Sequence, residues 1–220
     1  AQEPLLRRTP ETDREALRMM RNDKLDLMLP GAMRDNGVDM WIHVTRAGDP
    51  DPMVPQFGST SGYLIFTDLG DQIERAVFGG AGDVENIDVR GSVEIVRAVA
   101  GYDYGNVDFS AYDELTEFVA ERDPKTIAVN SSSWISIADG ISHSEYVKLE
   151  KILGPKYSER IVSAENVVID FVTRRTSREV AAQTEILALA RQENLERLSK
   201  VVPGLTTIGE IGGQVYYTAV

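Results

Sequence analysis

Met33-Arg34-Asp35-Asn36-Gly37-Val38-Asp39-Met40-Trp41-Ile42-His43-Val44 holds a helix end, a turn and a strand start. Gly37 supplies the left-handed position that closes a helix. Met40 to Val44 is then an apolar, β-branched and aromatic run of strand length, with Trp41, His43 and Thr45 on one face. A helix handed to a strand through a tight turn is the joint of a layered α/β fold, and such joints recur along the chain.

Helix starts are marked by Ser or Thr followed three residues later by an acid, a pair that satisfies free amides of the first turn. Thr12 with Glu15 predicts a helix toward Met28 or Met33, Ser142 with Glu145 one to Leu153, Thr176 with Glu179 a long one to about Val201, and Thr207 with Glu210 another. Ser110 with Asp113 is a fifth such pair. Strand-length runs lie between them at Met40–Val44, Tyr63–Thr67, Ala76–Phe78, Val93–Val99 and Thr126–Val129. Asp49-Pro50-Asp51-Pro52-Met53-Val54-Pro55 interrupts regular structure and is expected as an ordered surface loop, and Gly79-Gly80-Ala81-Gly82-Asp83 as a turn leaving the third strand. After Ser163 the pattern becomes helical only. The expected division is an α/β domain over residues 1–162 and a helical segment over residues 163–220. No internal repeat is visible.

The 220 residues are 42% hydrophobic and 26% charged, the usage of a soluble globular protein. Lys+Arg 23 against Asp+Glu 35 gives a formal net charge of -12, which repels phosphate backbones. The basic spots at Arg7-Arg8 and at Arg174-Arg175 with Arg178 sit beside acids, so nucleic acid is not an expected partner. No apolar run approaches the roughly 20 residues that span a bilayer, and no membrane partner is expected. The absence of cysteine excludes disulfides, zinc-thiolate and iron-sulfur sites and a cysteine nucleophile. Ala1-Gln2-Glu3-Pro4 resembles the end left by signal-peptide cleavage or by tag removal, which leaves a cytoplasmic and an exported, periplasmic location both open.

The chemistry available is limited. His43 and His143 are the two histidines; the first reads as a sheet residue and the second as the first turn of a helix, so neither is expected to be a general base. There is no H-E-x-x-H, no histidine pair at helical spacing and no EF-hand loop. Gly58-Ser59-Thr60-Ser61-Gly62 has threonine where a nucleophile elbow has serine and precedes a strand instead of following one. Gly79-Gly80-Ala81-Gly82 lacks the G-x-G-x-x-G spacing of a dinucleotide loop. Asn130-Ser131-Ser132 fits the glycosylation sequon. No catalytic and no metal-ligating residue is assigned in this chain.

Three stretches, taken in order, resemble the amino-terminal domain of the creatinase, prolidase and Xaa-Pro aminopeptidase family, which precedes a "pita-bread" metallopeptidase domain. Met33 to Ile42 is similar to that family's helix, Gly-apolar-Asp turn and first strand. Thr126-Ile127-Ala128-Val129-Asn130, followed by Ile137-Ala138-Asp139-Gly140-Ile141-Ser142, resembles its strand-Asn and Ala-Asp-Gly-apolar-Ser/Thr segments. Glu179-Val180 through Ala190, then Val202-Pro203-Gly204-Leu205-Thr206-Thr207 with Glu210, resembles the entry into its catalytic domain.

The resemblance implies an α/β, three-layer creatinase-type domain around a mainly central mixed sheet, followed by helices that begin a truncated pita-bread domain. It implies a lid and dimer-forming role, a homodimer through this domain, and short peptide substrates for the parent enzyme. It also implies two divalent metal ions (Mn, Zn or Co) in the full-length parent, held by two Asp, one His and two Glu beyond Val220, with no cofactor in this chain. Arg46 and Phe57 flank the proline loop and, by their chemistry, are the candidate substrate-lining residues, for a carboxylate and an apolar side chain respectively. A creatinase-like amidinohydrolase fragment and a non-catalytic binding or oligomerisation module are the alternative readings.

Overall fold

A computed structural model of the chain describes residues 10–45, 52–58, 61–80, 82, 84–91, 95 and 109–210. The chain divides into two compact units, Ala1–Thr176 and Ser177–Val220.

The first unit is an α/β fold around a six-stranded mixed sheet. In chain order it runs α1 (Pro10–Leu27), α2 (Leu29–Asp35), β1 (Met40–Thr45), β2 (Ser61–Asp68), β3 (Ile73–Gly80), β4 (Asp88–Arg90), α3 (Asp113–Arg122), β5 (Ile127–Val129), α4 (His143–Ser158), β6 (Ile161–Ser163) and α5 (Glu165–Thr173). The strand order is β4-β3-β2-β1-β5-β6. β2 pairs antiparallel with both β1 and β3, whereas β1, β5 and β6 run parallel, with Ile42 opposite Val129 and Val129 opposite Ser163.

Strand alternation sends side chains to two cores. Trp41, Leu64, Phe66, Val77 and Ala128 meet Leu25, Leu29, Met33, Val167, Val168 and Phe171 from α1, α2 and α5. Ile42, Val44, Tyr63, Ile65, Phe78 and Val129 meet Leu115, Phe118, Leu149, Ile152 and Leu153 from α3 and α4. Helices therefore cover both faces of the sheet. Lys24 is 2% exposed; its ammonium lies 3.5 Å from the Val172 carbonyl and 5.4 Å from the centre of the Phe171 ring, so α1 supplies a cation to the last turn of α5.

Local signals explain several boundaries. Ser142 Oγ accepts the Glu145 N–H at 3.2 Å and caps α4, whose helical geometry breaks at Gly154 (φ 68°) ahead of Pro155. α1 begins at Pro10, ahead of the expected Thr12–Glu15 box. Proline suits a first turn, where its missing N–H has no partner to lose, and Glu15 is bound by Arg18 at 2.9 and 2.7 Å. Ser110 lies in a 3-10 turn, and α3 starts at Asp113 without a side-chain cap.

Sequence expectations change at the glycines, in the proline loop and at Ile95. Gly79 and Gly80 end β3 and are not a turn. Gly79 (φ 148°) faces Gly62 (φ 109°) across the β2–β3 ladder, and a Cβ on either would lie 2.1–2.2 Å from a backbone oxygen of the facing strand. The proline loop is not wholly superficial: Val54–Phe57 forms a 3-10 turn that buries Met53 and Phe57, while residues 46–51 lie outside the described residues. β6 pairs with β5 at the edge of the sheet, and α5 packs three side chains into the core, both within the unit that ends at Thr176. Of the expected strand at 93–99, Ile95 alone is described, and it is helical and buried.

In the second unit, α6 (Ser177–Leu198) has no buried residue, and Val180, Ile186, Leu187, Leu195 and Leu198 are more than half exposed. Beyond it Gly204 adopts φ 80°. The Thr207–Glu210 box forms: Thr207 N donates to Glu210 Oε2 at 2.8 Å, and Glu210 N to Thr207 Oγ1 at 3.2 Å.

Candidate functional site

Beyond the carboxyl ends of the parallel strands, β1 leads toward β2 on one side and β5 toward β6 on the other. Such a switch point is where open α/β sheets form ligand crevices. Here it is plugged. Asn130, fully buried, donates from Nδ2 to the Val44 carbonyl at 2.9 Å and accepts the Val44 N–H on Oδ1 at 3.0 Å. A side-chain amide thus copies a backbone peptide and lengthens the β1–β5 ladder by one rung. The Asn130 carbonyl in turn receives the N–H groups of Gly140 and Ile141, at 3.0 and 2.9 Å. The sequon asparagine is therefore occupied inside the fold.

At the opposite end of the same pair, Asp39 Oδ2 accepts the amides of Lys125 and Thr126 at 2.7 and 3.2 Å, just ahead of β5. Asp39 and Asn130 bracket the strand pair from its two ends.

The loop after Asn130 forms the exposed part of this edge. Ser132 Oγ donates to Glu165 Oε2 at 2.8 Å and accepts the amides of Trp134 and Ile135 at 3.3 and 3.2 Å, while Ser132 N donates to Asp139 Oδ1 at 3.1 Å. Ser163 Oγ joins the loop through the Ser131 carbonyl at 2.5 Å. These bonds hold Trp134 with 66% of its surface exposed. The Ser132 hydroxyl, with its proton on a carboxylate and its oxygen accepting two amides, organises the loop and has no imidazole to activate it. The geometry suits binding by shape and aromatic contact more than proton transfer.

Neither histidine joins this edge as a base. His43 is fully buried, with ring centroids 5.5 Å from Trp41 and 4.9 Å from Phe57 in edge-on contacts. His143 opens α4 on an exposed turn. Of the two expected substrate-lining residues, Arg46 lies outside the described residues. Phe57 is fully buried and packs against Trp41, His43, Phe66 and Phe171, so its ring contributes to the core.

A cleft of about 580 Å³ lies on the α1–α2 side of β3 and β4, lined in part by Leu25, Asp26, Pro30, Asp71, Glu74, Arg75 and Asp88. Its charges are largely matched within the fold. Arg75, 6% exposed, pairs with Asp26 and donates to the Glu85 carbonyl at 3.1 Å; Glu74 binds Arg122 at 2.5 and 2.7 Å; Asp88 binds Arg90 at 2.6 Å. Asn22 Oδ1 takes the Glu85 N–H at 3.0 Å, so Asn22 and Arg75 clasp both backbone groups of one residue. Sequence reasoning missed this clasp. Its signal is the i, i+4 spacing of Asn22 and Asp26 on α1, which no motif distinguishes from an ordinary polar face.

Two tyrosines pack at the start of β2: Tyr63 and Tyr112 meet edge-on at 5.9 Å, and burial pushes the Tyr63 phenol well above its ordinary value, with Glu145 adding to the shift. Among the described residues no group of three or more His, Asp or Glu is placed to hold a metal ion, and no described helix is long and apolar enough to cross a membrane. No protein-family model, no curated protein and no solved structure matches the chain.

Proposed function

We propose that this chain is the amino-terminal, lid and dimer-forming part of a metal-dependent Xaa-Pro aminopeptidase or prolidase-like hydrolase, with a three-layer creatinase-type domain followed by the first helices of a pita-bread domain. The observation that carries the reading is where the three family-like stretches fall. Gly37 (φ 63°) and Asp39 form the turn into β1 and the anchor to β5. Asn130 and Ser142 are the ladder extension and the cap of α4. Pro203-Gly204 and the Thr207–Glu210 box end one helix and start another. Several of the residues that the resemblance rests on thus have a structural role of their own. A helix with apolar residues on several sides and none buried, such as α6, also suits a segment covered by a further domain.

On this reading the chain binds and shields, and two divalent ions held by the parent's other domain would supply the Lewis-acid chemistry of bond cleavage. No residue of this chain is assigned to those ions. The test is to purify the protein from its native source, measure its intact mass and divalent-metal content, and assay Xaa-Pro dipeptides beside the isolated 220-residue chain. A longer, metal-loaded protein that cleaves them, with an inert isolated chain, supports the proposal. Metal-dependent cleavage by the 220-residue chain, or a native protein of this length without metal or activity, overturns it.

A further inference from the structure

Asn36 precedes Gly37 at the end of α2, and glycine leaves its own backbone nitrogen unhindered for attack on the preceding side-chain amide. The fold holds both reacting groups. Asn36 Nδ2 donates to the Ala32 carbonyl and to Asp170 Oδ2 of α5, each at 2.9 Å, and the Gly37 N–H donates to the Arg34 carbonyl at 3.1 Å. Arg174 completes the cluster, with Nη2 2.7 Å from Asp35 Oδ2 and 3.0 Å from Asp170 Oδ2. The amide of Asn36 is thus a donor set between two acceptors, and it ties the last turn of α2 to α5.

We propose that Asn36 is a deamidation site which the native α2–α5 tie holds in check, and that its modification releases that tie. In the reaction the Gly37 nitrogen loses its proton and bonds to Asn36 Cγ, the Cγ–Nδ2 bond breaks, and Nδ2 leaves as ammonia. Water then opens the resulting succinimide to aspartate or isoaspartate, so water is the co-reactant and nothing is oxidised or reduced. The product carries a carboxylate where an NH₂ stood. A carboxylate can only accept, yet it faces the Ala32 carbonyl and the Asp170 carboxylate, with Asp35 alongside and a single guanidinium, that of Arg174, among them. Both reacting groups are hydrogen-bonded in the closed state, so the rate follows the local opening of the α2 terminus.

The test is to age the full chain at mildly alkaline pH, folded and in urea, and to quantify amide-to-acid conversion at Asn36 by peptide mass spectrometry. Conversion is expected to be slower in the folded chain by at least about tenfold, the factor that an opening cost of about 1.4 kcal/mol produces. Asp170→Ala, checked as folded by circular dichroism, should lose most of that protection, and Asp170→Asn, which keeps an acceptor, should retain it. Equal rates folded and in urea, or wild-type protection in folded Asp170→Ala, would overturn the gating. For the release, amide hydrogen exchange over residues 33–38 is compared between aged and fresh wild-type protein. Faster exchange in the aged fraction is expected, and unchanged exchange would sink that half of the proposal.

Discussion

The side chain of Asn130 bonds both backbone groups of Val44, so β1 and β5 are joined past the end of β5 by an amide that is not part of either main chain. Both partners are buried, and water has no access to replace the bonds. Asn130→Leu would leave an N–H and a carbonyl unsatisfied in the sheet, at a cost of about 2–4 kcal/mol. Urea unfolding followed by circular dichroism measures it. A loss below about 0.5 kcal/mol would mean that the clasp is not formed in solution.

Asp39 gives a second, milder test at the other end of the same strand pair. Its Oδ2 receives two amides ahead of β5, and Asp39→Ala removes the acceptor of both where solvent can compensate in part. The expected loss is about 1–2 kcal/mol. Because Asp39 and Asn130 hold opposite ends of the strand pair and share no partner, their losses should add, and a double-mutant cycle checks that.

The paired glycines of β2 and β3 make a prediction of opposite character, since nothing is removed. Gly62→Ala puts a methyl group about 2.2 Å from the Phe78 carbonyl oxygen, and Gly79→Ala one about 2.1 Å from the Ser61 carbonyl oxygen, each at a positive φ. Backbone on both sides leaves no soft side chain to yield. Each variant should lose more than about 2 kcal/mol, and thermal unfolding of either at wild-type temperature would contradict the close pairing.

Those glycines also show where the sequence was hard to read. Glycine disfavours strands in general, so Gly79-Gly80 reads as a turn until the facing Gly62 is known, a contact between residues far apart in the chain. β1, β2 and β5 were legible because their apolar runs are bounded by turn residues. β4 and β6, three residues each at the sheet edges, are too short to show a period. Ser142–Glu145 and Thr207–Glu210 could be read because a capping box is local. Thr12–Glu15 marked the helix but not its first residue, which is Pro10, since proline also suits a first turn. Phe57 was read as a candidate substrate-lining residue because it flanks the proline loop, and the 3-10 turn directs it into an aromatic cluster that only the assembled sheet creates.

Acid should act through particular carboxylates. Asp123, at the left-handed end of α3, is held down to about 2 by hydrogen bonds from Lys156 and Arg160, and Asp68 is held below its ordinary value by Arg34. A depressed folded pKa adds stability above the unfolded value, and that contribution is lost as pH falls through the folded one. Wild-type stability should therefore fall between about pH 4 and pH 2, and Asp123→Asn, which keeps a residue tolerant of the left-handed backbone, should flatten part of that fall. An identical pH profile for the variant would show that the Asp123 ion pairs contribute nothing in solution, as some exposed pairs do.

The two tryptophans offer a direct probe of the exposed edge. Trp41 is fully buried and Trp134 is 66% exposed on a loop pinned by Ser132 and Asp139. Acrylamide should quench one emission component readily and leave the other protected, and Trp134→Phe should abolish the quenchable component without lowering the unfolding midpoint by more than about 0.5 kcal/mol equivalent, since a surface ring adds little packing. Equal quenching of wild type and variant would mean that Trp134 is covered. In the protein purified from its native source the same experiment reports on the proposed lid and dimer role. A Trp134 that becomes protected there marks the carboxyl edge of β5 as the covered face, and one that stays quenchable directs the search for the dimer contact to other surfaces of the first unit.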